Sequence, residues 1–434
     1  MNNARIQAVK LLGKTFHKGG YSNILLDKTL NETELSSQEK ALCSAIYYGV
    51  LERKITLDHI ISGYSKFRLS KINPTILNIL RMGIYQLKFM DNIPDGIAVN
   101  EAVNTAKNLK LAKLSGFVNA VMRSFIRDDK QIKYPENKIE RISIEYSVPM
   151  WLAEMLSDNY TDSQTKSLLE SSVEKPPVTI RLNNLKGDRE KTLSKLESLS
   201  PKETAVDGCY DIAVANVRED ESFKNGFFHV QDIASQLCCM AVSPKADEVI
   251  LDMCSAPGGK AFTMAELSED KAEIYAFDIH DHRVKLIADG AKRLGITSIK
   301  TMIGNASEYS EAVPMANKIL CDVPCSGLGV IRRKPEIKYK NYEEFERLPD
   351  IQYKILENAA KYLKVGGELV YSTCTVNPKE NAEVIDRFLS ENKNFEGISF
   401  LEDIGKPFGD YKVTLFPENF ASDGFFISKI KRTE

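Results

Sequence analysis

Two thiols follow strand-like hydrophobic runs: Cys325 in Asp322-Val323-Pro324-Cys325-Ser326-Gly327, and Cys374 in Ser372-Thr373-Cys374-Thr375. A cysteine taken singly is more often a small core hydrophobe than a nucleophile. If the two runs are strands of one doubly wound sheet, however, their carboxyl ends open onto one crevice and both thiols face the same ligand. A third run, Val249-Ile250-Leu251-Asp252-Met253, leads into Cys254-Ser255-Ala256-Pro257-Gly258-Gly259-Lys260, a turn of small residues ahead of a helix. Small side chains let a ligand approach the backbone there, and the free N–H groups of the helix start favour its polar end. Asp278 closes the next strand twenty residues beyond Gly258, where a carboxylate can accept hydrogen bonds from both hydroxyls of a ribose. The pair predicts an adenosine-containing cofactor. The turn lacks G-x-G-x-x-G, and Ala261 follows Lys260 where a phosphate-binding loop has Ser or Thr, so dinucleotide and nucleoside-triphosphate readings both weaken.

Two thiols and an aspartate beside an adenosyl cofactor suit one reaction. A pyrimidine C5 is too weak a nucleophile to take a methyl group unaided, but a thiolate adding at C6 turns the ring into an enamine-like nucleophile. C5 can then attack the methyl sulfonium of S-adenosylmethionine. An acid near N3 stabilises the adduct, after which the C5 proton must leave and the thiolate be expelled. Asp322 and the second cysteine fit those tasks. A nicotinamide-dependent dehydrogenase would share the sheet but needs a different turn. Zinc is not expected: Cys321 and Cys325 are four apart, and the five histidines, His17, His59, His229, His280 and His282, show no matching ligand spacing.

These residues need a sheet to hold them, and from Gln231 onward strands and helices alternate. Strands are expected at 248–253, 273–277, 299–303, 318–321 and 368–373, and helices after Gly259, near 283–294 and near 353–363, as in a doubly wound, mainly parallel α/β sheet. Residues 141–230 mix a helix over 149–160 with strands at 178–182 and 227–230, a small α+β module. From Ala4 to about Arg127 apolar residues recur three and four apart, as in Ile76, Ile79, Leu80, Ile84 and Leu87, which predicts five to seven helices in a bundle. Its separators are His17-Lys18-Gly19-Gly20, Asn73-Pro74 and Asp91 to Gly96, and a polar linker follows over 128–138.

The 434 residues, 43% hydrophobic and 27% charged, leave room for two or three domains with ample core. No apolar run is long enough for a membrane span, and the first ten residues have no signal-like apolar core. Eight cysteines without a C-x-x-C pair point to free thiols in a reducing, cytoplasmic setting. The net charge of −2 is unevenly spread: residues 1–140 carry 21 basic and 13 acidic groups, the remainder 37 and 47. A basic N-terminal part suits a polyanion such as nucleic acid.

Taken together, the segments resemble the NOL1/NOP2/Sun class of RNA cytosine-C5 methyltransferases, and within it the RsmB (Sun/Fmu) family acting on 16S ribosomal RNA. The likeness covers essentially the whole chain. It includes Arg81-Met82-Gly83-Ile84-Tyr85-Gln86-Leu87 and Gly116-Phe117-Val118-Asn119-Ala120-Val121-Met122-Arg123 of a NusB-like bundle, Val230-Gln231-Asp232-Ile233-Ala234-Ser235-Gln236, and the long run from Asp322 through Arg332-Arg333-Lys334-Pro335-Glu336. The resemblance implies three parts: a NusB-like RNA-binding domain at 1–135, a connecting module at 141–230, and a Rossmann-like S-adenosylmethionine-dependent catalytic domain at 231–434. It implies that Cys374 attacks and that Cys325 assists release. Cys254 through Lys260 form the cofactor loop, Asp278 binds the ribose, Asp322 is the acid of the Pro-Cys motif and also borders the cofactor, and Lys260 contacts the base or Asp322.

Asn305, in Gly304-Asn305-Ala306, stands where the family has Asp near the adenine; its amide oxygen can accept from the exocyclic amine. Near the C-terminus Asp423-Gly424-Phe425-Phe426 is present without the usual preceding His-Gly-Thr. A monomer acting on 16S rRNA, free or in an early particle, without metal or membrane, follows from the likeness. The competing reading is a NusB-like antitermination scaffold with an idle catalytic domain, against which the presence of both cysteines argues. Arg332-Arg333-Lys334 is placed to hold RNA phosphates. Trp151, Ser44, Tyr47 and Tyr48 read as packing residues, and His280 and His282 as surface residues.

Overall fold

The computed structural model describes residues 3–18, 22–213 and 217–434, so Gly19 and Gly20 of the first expected separator lie outside the described residues. The chain forms two compact units, one made of residues 1–174 with 331–340 and the other of 175–330 with 341–434.

The first unit is helical. Seven helices cover Ala4–Lys18, Ser22–Asn31, Ser37–Glu52, Lys54–Tyr64, Pro74–Phe89, Asp95–Asn108 and Ser115–Arg127. The central one starts where Pro74 takes the first turn and the Asn73 side chain accepts the N–H groups of Thr75 and Ile76. Its Ile76, Ile79, Leu80 and Ile84 are buried in the bundle core. Arg81 on the same helix is also buried, and is compensated by a two-pronged pair with Asp58 at 2.7 and 2.8 Å and a bond to Asn78 at 2.8 Å. Three more helices, Lys138–Tyr146, Met150–Asn159 and Asp162–Ser171, complete the unit. Tyr47 is fully buried, as expected of a packing residue.

Residues 331–340 also belong to this unit. Glu336 accepts the backbone N–H of Ser22 at 3.1 Å and its hydroxyl at 2.8 Å. Tyr339 donates to the Leu51 carbonyl at 2.6 Å, and Lys338 to that of Glu52 at 2.9 Å. Burial pulls the Lys338 ammonium down to about 7. Of the basic run expected to meet RNA phosphates, Arg332 is buried and Lys334 exposed.

The second unit opens with an antiparallel sheet of β1 (Val178–Leu182), β2 (Lys202–Glu203), β3 (Cys209–Ile212) and β4 (Phe228–Val230), in the order β2-β3-β1-β4. Arg181 of β1 reaches Glu266 with bonds of 2.7 and 3.1 Å, and Asn184 donates to the same carboxylate at 2.7 Å. This buried pair fixes the small sheet to the helix Gly259–Leu267.

The large sheet contains β5 (Val249–Asp252), β6 (Glu273–Asp278), β7 (Ile299–Ile303), β8 (Ala316–Asp322), β9 (Leu363–Thr373), β10 (Phe395–Gly397), β11 (Lys412–Leu415) and β12 (Phe425–Arg432). Its order is β10-β12-β9-β8-β5-β6-β7, with β11 added beside β12. β7, β6, β5, β8 and β9 are parallel, whereas β12 runs antiparallel to β9. The sheet is therefore mixed: the buried run Phe425-Phe426-Ile427 turns back along β9 and was not among the expected strands. Helices Ile233–Val242, Gly259–Leu267 and Asp281–Leu294 supply one core cluster, and Leu348–Ala360 and Ala382–Glu391 another. The helix expected near 353–363 starts earlier, where Pro349 occupies its first turn, and ends at Ala360 because Leu363 already belongs to β9. Strand order reverses between β5 and β8, the position where sheets of this kind bind ligands beyond the carboxyl ends of their strands.

Candidate active site

Asp322 and Ser372 are register partners at the ends of β8 and β9. The chain continues three residues from the first to Cys325 and two from the second to Cys374, and the structure brings the two thiols together with their Sγ atoms 3.2 Å apart. Both are free cysteines. Cys325 is held as a thiol: its hydrogen bond to Cys374, followed by burial, raises its pKa well above the ordinary value.

The loops that carry the thiols are tied down by residues to which the sequence drew no attention. The fully buried Glu380 accepts the Ser326 N–H at 2.8 Å and Gln352 Nε2 at 2.9 Å. Gln352 also donates to the Pro324 carbonyl at 3.0 Å. The Ser326 and Thr375 hydroxyls lie 2.7 Å apart, and the Gly329 N–H donates to the Cys374 carbonyl at 3.1 Å. The available signal was Asn377-Pro378-Lys379-Glu380-Asn381, a capped turn closed on itself by Asn377 Nδ2, which donates to Glu380 at 3.0 Å, and tied to the preceding segment by Asn381 Nδ2, which donates to the Thr375 carbonyl at 3.0 Å. The Asp423-Gly424 turn completes the support, the Gly424 N–H donating to the Gly329 carbonyl at 3.0 Å.

Lys260 lies against Asp322, with Nζ 2.7 Å from Oδ2, and Ser372 donates to Oδ1 at 2.9 Å. Burial opposes the charge on Lys260, but Asp322 outweighs it and the lysine pKa is raised. The ammonium also sits 5.2 Å from the centre of the Phe425 ring, the first aromatic of the Asp-Gly-Phe-Phe run. The expected contact of Lys260 with Asp322 is therefore present.

The small-residue turn leaves β5 as expected. Ser255 donates its N–H to the Phe277 carbonyl at 2.7 Å and Gly258 to that of Ser255 at 2.8 Å. Gly258 has φ +104°, and a Cβ there would come 2.5 Å from the Phe262 ring. Asp278 is buried; its Oδ1 accepts the His280 N–H at 3.0 Å, and Arg283 reaches its Oδ2 at 3.0 Å and the Ala256 carbonyl at 3.0 Å. Arg283, which the sequence reading passed over, thus links the cofactor loop to the expected ribose acid. Cys254 is half-buried, and burial raises its pKa.

An adenosyl cofactor with an amino-acid tail fits this turn. Asp252 is completely buried, and neither its carboxylate oxygens nor the Ser255 hydroxyl makes a well-formed hydrogen bond among the described residues, the nearby Ser255 side chain and Cys254 backbone giving the carboxylate only partial support. An amino group is the kind of ligand such acceptors lack. Beyond β6 and β7, a cavity of about 150 Å³ is lined by Met253, Phe277, Ile303, Asn305, Glu308 and Tyr309, among others. Asn305, expected near the adenine, lines this cavity. Its amide oxygen accepts the Ser307 N–H at 3.1 Å and hydroxyl at 2.8 Å, so it is engaged within its own turn. Among the described residues, no group of three or more His, Cys, Asp or Glu is arranged to hold a metal ion, and no helix is long and apolar enough to cross a membrane.

Burial raises Asp252 to about 7, against roughly 3.9 for an unfolded aspartate. The folded state therefore holds a proton that the unfolded state releases, and stability is lost as pH rises through this window and is level above it. Asp252→Asn is expected to remove that loss. Between pH 5 and 8, denaturant unfolding of the ligand-free protein should show the wild type falling relative to the variant by about 3 kcal/mol. A constant difference would mean that Asp252 is ionised throughout.

Residues 239–431 match the 16S rRNA methyltransferase RsmB/F family, residues 2–127 the NusB family, and residues 148–209 the ferredoxin-like domain of RsmF/B-like methyltransferases. The chain is 35% identical to a probable ribosomal RNA small subunit methyltransferase B of Bacillus subtilis, over 98% of each chain. It is 31% identical to ribosomal RNA small subunit methyltransferase B of Escherichia coli K12, over 99% of this chain and 98% of that one. The crystal structure of PH0851 shares the fold, with a TM-score of 0.81 at 23% identity, over 99% of this chain and 98% of the other. With its NusB and ferredoxin-like parts, its mixed α/β sheet and likeness along its whole length, the chain belongs to the ribosomal RNA small subunit methyltransferase B family.

Proposed function

We propose that the protein methylates C5 of a cytosine in 16S rRNA, through a covalent bond between Cys374 and C6 of the base. The reading is carried by two thiols 3.2 Å apart, set at the ends of adjacent strands beside the Lys260–Asp322 pair. S-adenosylmethionine, when bound, supplies an electrophilic methyl group. Cys374, as thiolate, adds to C6, and the electron pair of the C5–C6 bond makes C5 the nucleophile. Lys260 and Asp322 together present a proton-bearing, hydrogen-bonding edge to the pyrimidine ring, where charge develops during addition. After transfer C5 carries both its proton and the new methyl; a base removes the proton, the double bond re-forms and the C6–S bond breaks.

Cys325 assists this last step, the expelled Cys374 thiolate being received by the neighbouring thiol through the hydrogen bond already in place. Asp278 takes the ribose hydroxyls, and Cys254 to Gly259 hold the polar end of the cofactor. All these residues come from one chain, so a single copy suffices for the reaction, and the basic N-terminal helices bring the RNA.

The test is methyl transfer from labelled S-adenosylmethionine to 16S rRNA lacking the modification, followed by nucleoside analysis and bisulfite sequencing. The label is expected in 5-methylcytidine at one bisulfite-resistant position. Label in a ribose methyl or on an exocyclic nitrogen would overturn the C5 chemistry, and RNA binding without incorporation would favour a scaffold.

A further inference from the structure

We propose that Glu308 selects the base of the cofactor by accepting a hydrogen bond from the exocyclic amine of adenine. The proposal rests on the reading of this unit as an S-adenosylmethionine site. The cavity beyond β6 and β7 has apolar walls from Met253, Phe277 and Ile303 and a polar end at Asn305 and Glu308. A lining of apolar side chains with a few polar groups suits a heteroaromatic ring.

The polar end has one strong acceptor to spare. The Asn305 oxygen already receives two hydrogen bonds, both from Ser307. The Asn305 amide nitrogen donates to Glu308 Oε1 at 2.7 Å, and so orients the carboxylate instead of the base. The Ser310 N–H is taken by the Tyr362 hydroxyl at 2.6 Å, and the Ser310 hydroxyl accepts from Ala312 at 3.4 Å. Glu308 retains acceptor capacity on Oε1 and on all of Oε2, since a carboxylate can accept about four hydrogen bonds.

The backbone beneath it is fixed. Asn358 Nδ2 donates to the carbonyls of Ala306 and Glu308, each at 2.9 Å, and the Glu308 N–H donates to the Asn305 carbonyl at 3.0 Å. Tyr309 stacks on Tyr362 with ring centres 5.0 Å apart and planes 8° from parallel. A turn held at so many points serves placement of a side chain better than a mobile surface loop does.

An ionised carboxylate only accepts. It rewards the amine at position 6 of adenine and opposes the carbonyl oxygen found there in hypoxanthine, leaving two acceptors face to face. Because Glu308 is exposed, water competes and the selectivity stays modest. Asn305 acts in this scheme as a positioning residue.

The experiment is calorimetric binding of S-adenosylhomocysteine and S-inosylhomocysteine to the full chain. Wild type is expected to prefer the adenosyl ligand. Glu308→Met should weaken it about tenfold, the size of one charge-assisted hydrogen bond shared with solvent, without weakening the inosyl ligand. Glu308→Gln, which keeps an acceptor and adds a donor, should restore much of the adenosyl affinity but still lower the preference. An unchanged preference in both variants, with wild type binding normally, overturns the role of Glu308. Failure of wild type to bind either ligand overturns the cofactor site itself.

Discussion

Cys325→Ala is expected to stall the protein with RNA bonded to Cys374. Cys374 can still add to C6, but the thiol 3.2 Å away that receives it on departure is gone. Turnover should fall by about three orders of magnitude or more, the scale on which groups acting together in covalent catalysis are lost. The RNA should migrate with the protein in denaturing gels and be released by protease. Cys374→Ala removes attack altogether and should leave neither turnover nor adduct. Thermal unfolding of both variants should stay near wild type, because a half-buried thiol is replaced by a slightly smaller apolar group. An adduct formed by Cys374→Ala and not by Cys325→Ala would exchange the two roles.

Gly329→Ala is expected to damage both stability and turnover by a different route. A Cβ at this position would stand 1.8 Å from the Gly424 carbonyl oxygen and 3.0 Å from that of Cys374. Both obstacles are backbone, so no side chain can swing aside. Relief requires parting the Pro-Cys loop from the Asp423-Gly424 turn, breaking the bond from the Gly424 N–H to the Gly329 carbonyl and that from the Gly329 N–H to the Cys374 carbonyl. A loss of about 3 kcal/mol or more is expected in denaturant unfolding. The folded fraction should transfer methyl groups poorly, since displacement of about 1 Å at a reacting atom can cost two orders of magnitude. Full stability and full activity in this variant would show that the close approach is dispensable.

The parts of this site that sequence made legible are those whose chemistry is local. A strand followed by small residues and a lysine announced the turn at Cys254–Lys260, and an acid at the next strand end announced Asp278, because each depends on neighbours along the chain. The convergence of Cys325 and Cys374 was also foreseeable, since parallel strands in one sheet send their carboxyl ends to one side. Glu380, Gln352 and Arg283 escaped notice because their importance lies in partners far along the chain: Glu380 meets Ser326 and Gln352, and Arg283 meets Ala256. Asn305 was legible as a position but not as an orientation, because the competing Ser307 lies only two residues away and captures its oxygen. In the fold, the helical bundle and the five parallel strands follow from periodicity. The antiparallel return of Phe425–Arg432 does not, because only Phe425-Phe426-Ile427 is an unbroken apolar run and Ser428, Lys429, Lys431 and Arg432 interrupt the rest.

The passage of residues 331–340 into the helical unit has a consequence for heredity and for protein engineering. The polypeptide crosses between its two bodies three times, at 174/175, 330/331 and 340/341, so no single cleavage yields two intact halves. A fragment beginning at Lys175 would carry Pro335, Ile337 and Lys338 stripped of their housing, on a tether that starts only six residues after the Pro-Cys thiol. Gene fusion alone could append a recruiting domain to an enzyme; an interleaved one must be inherited, expressed and altered together with it.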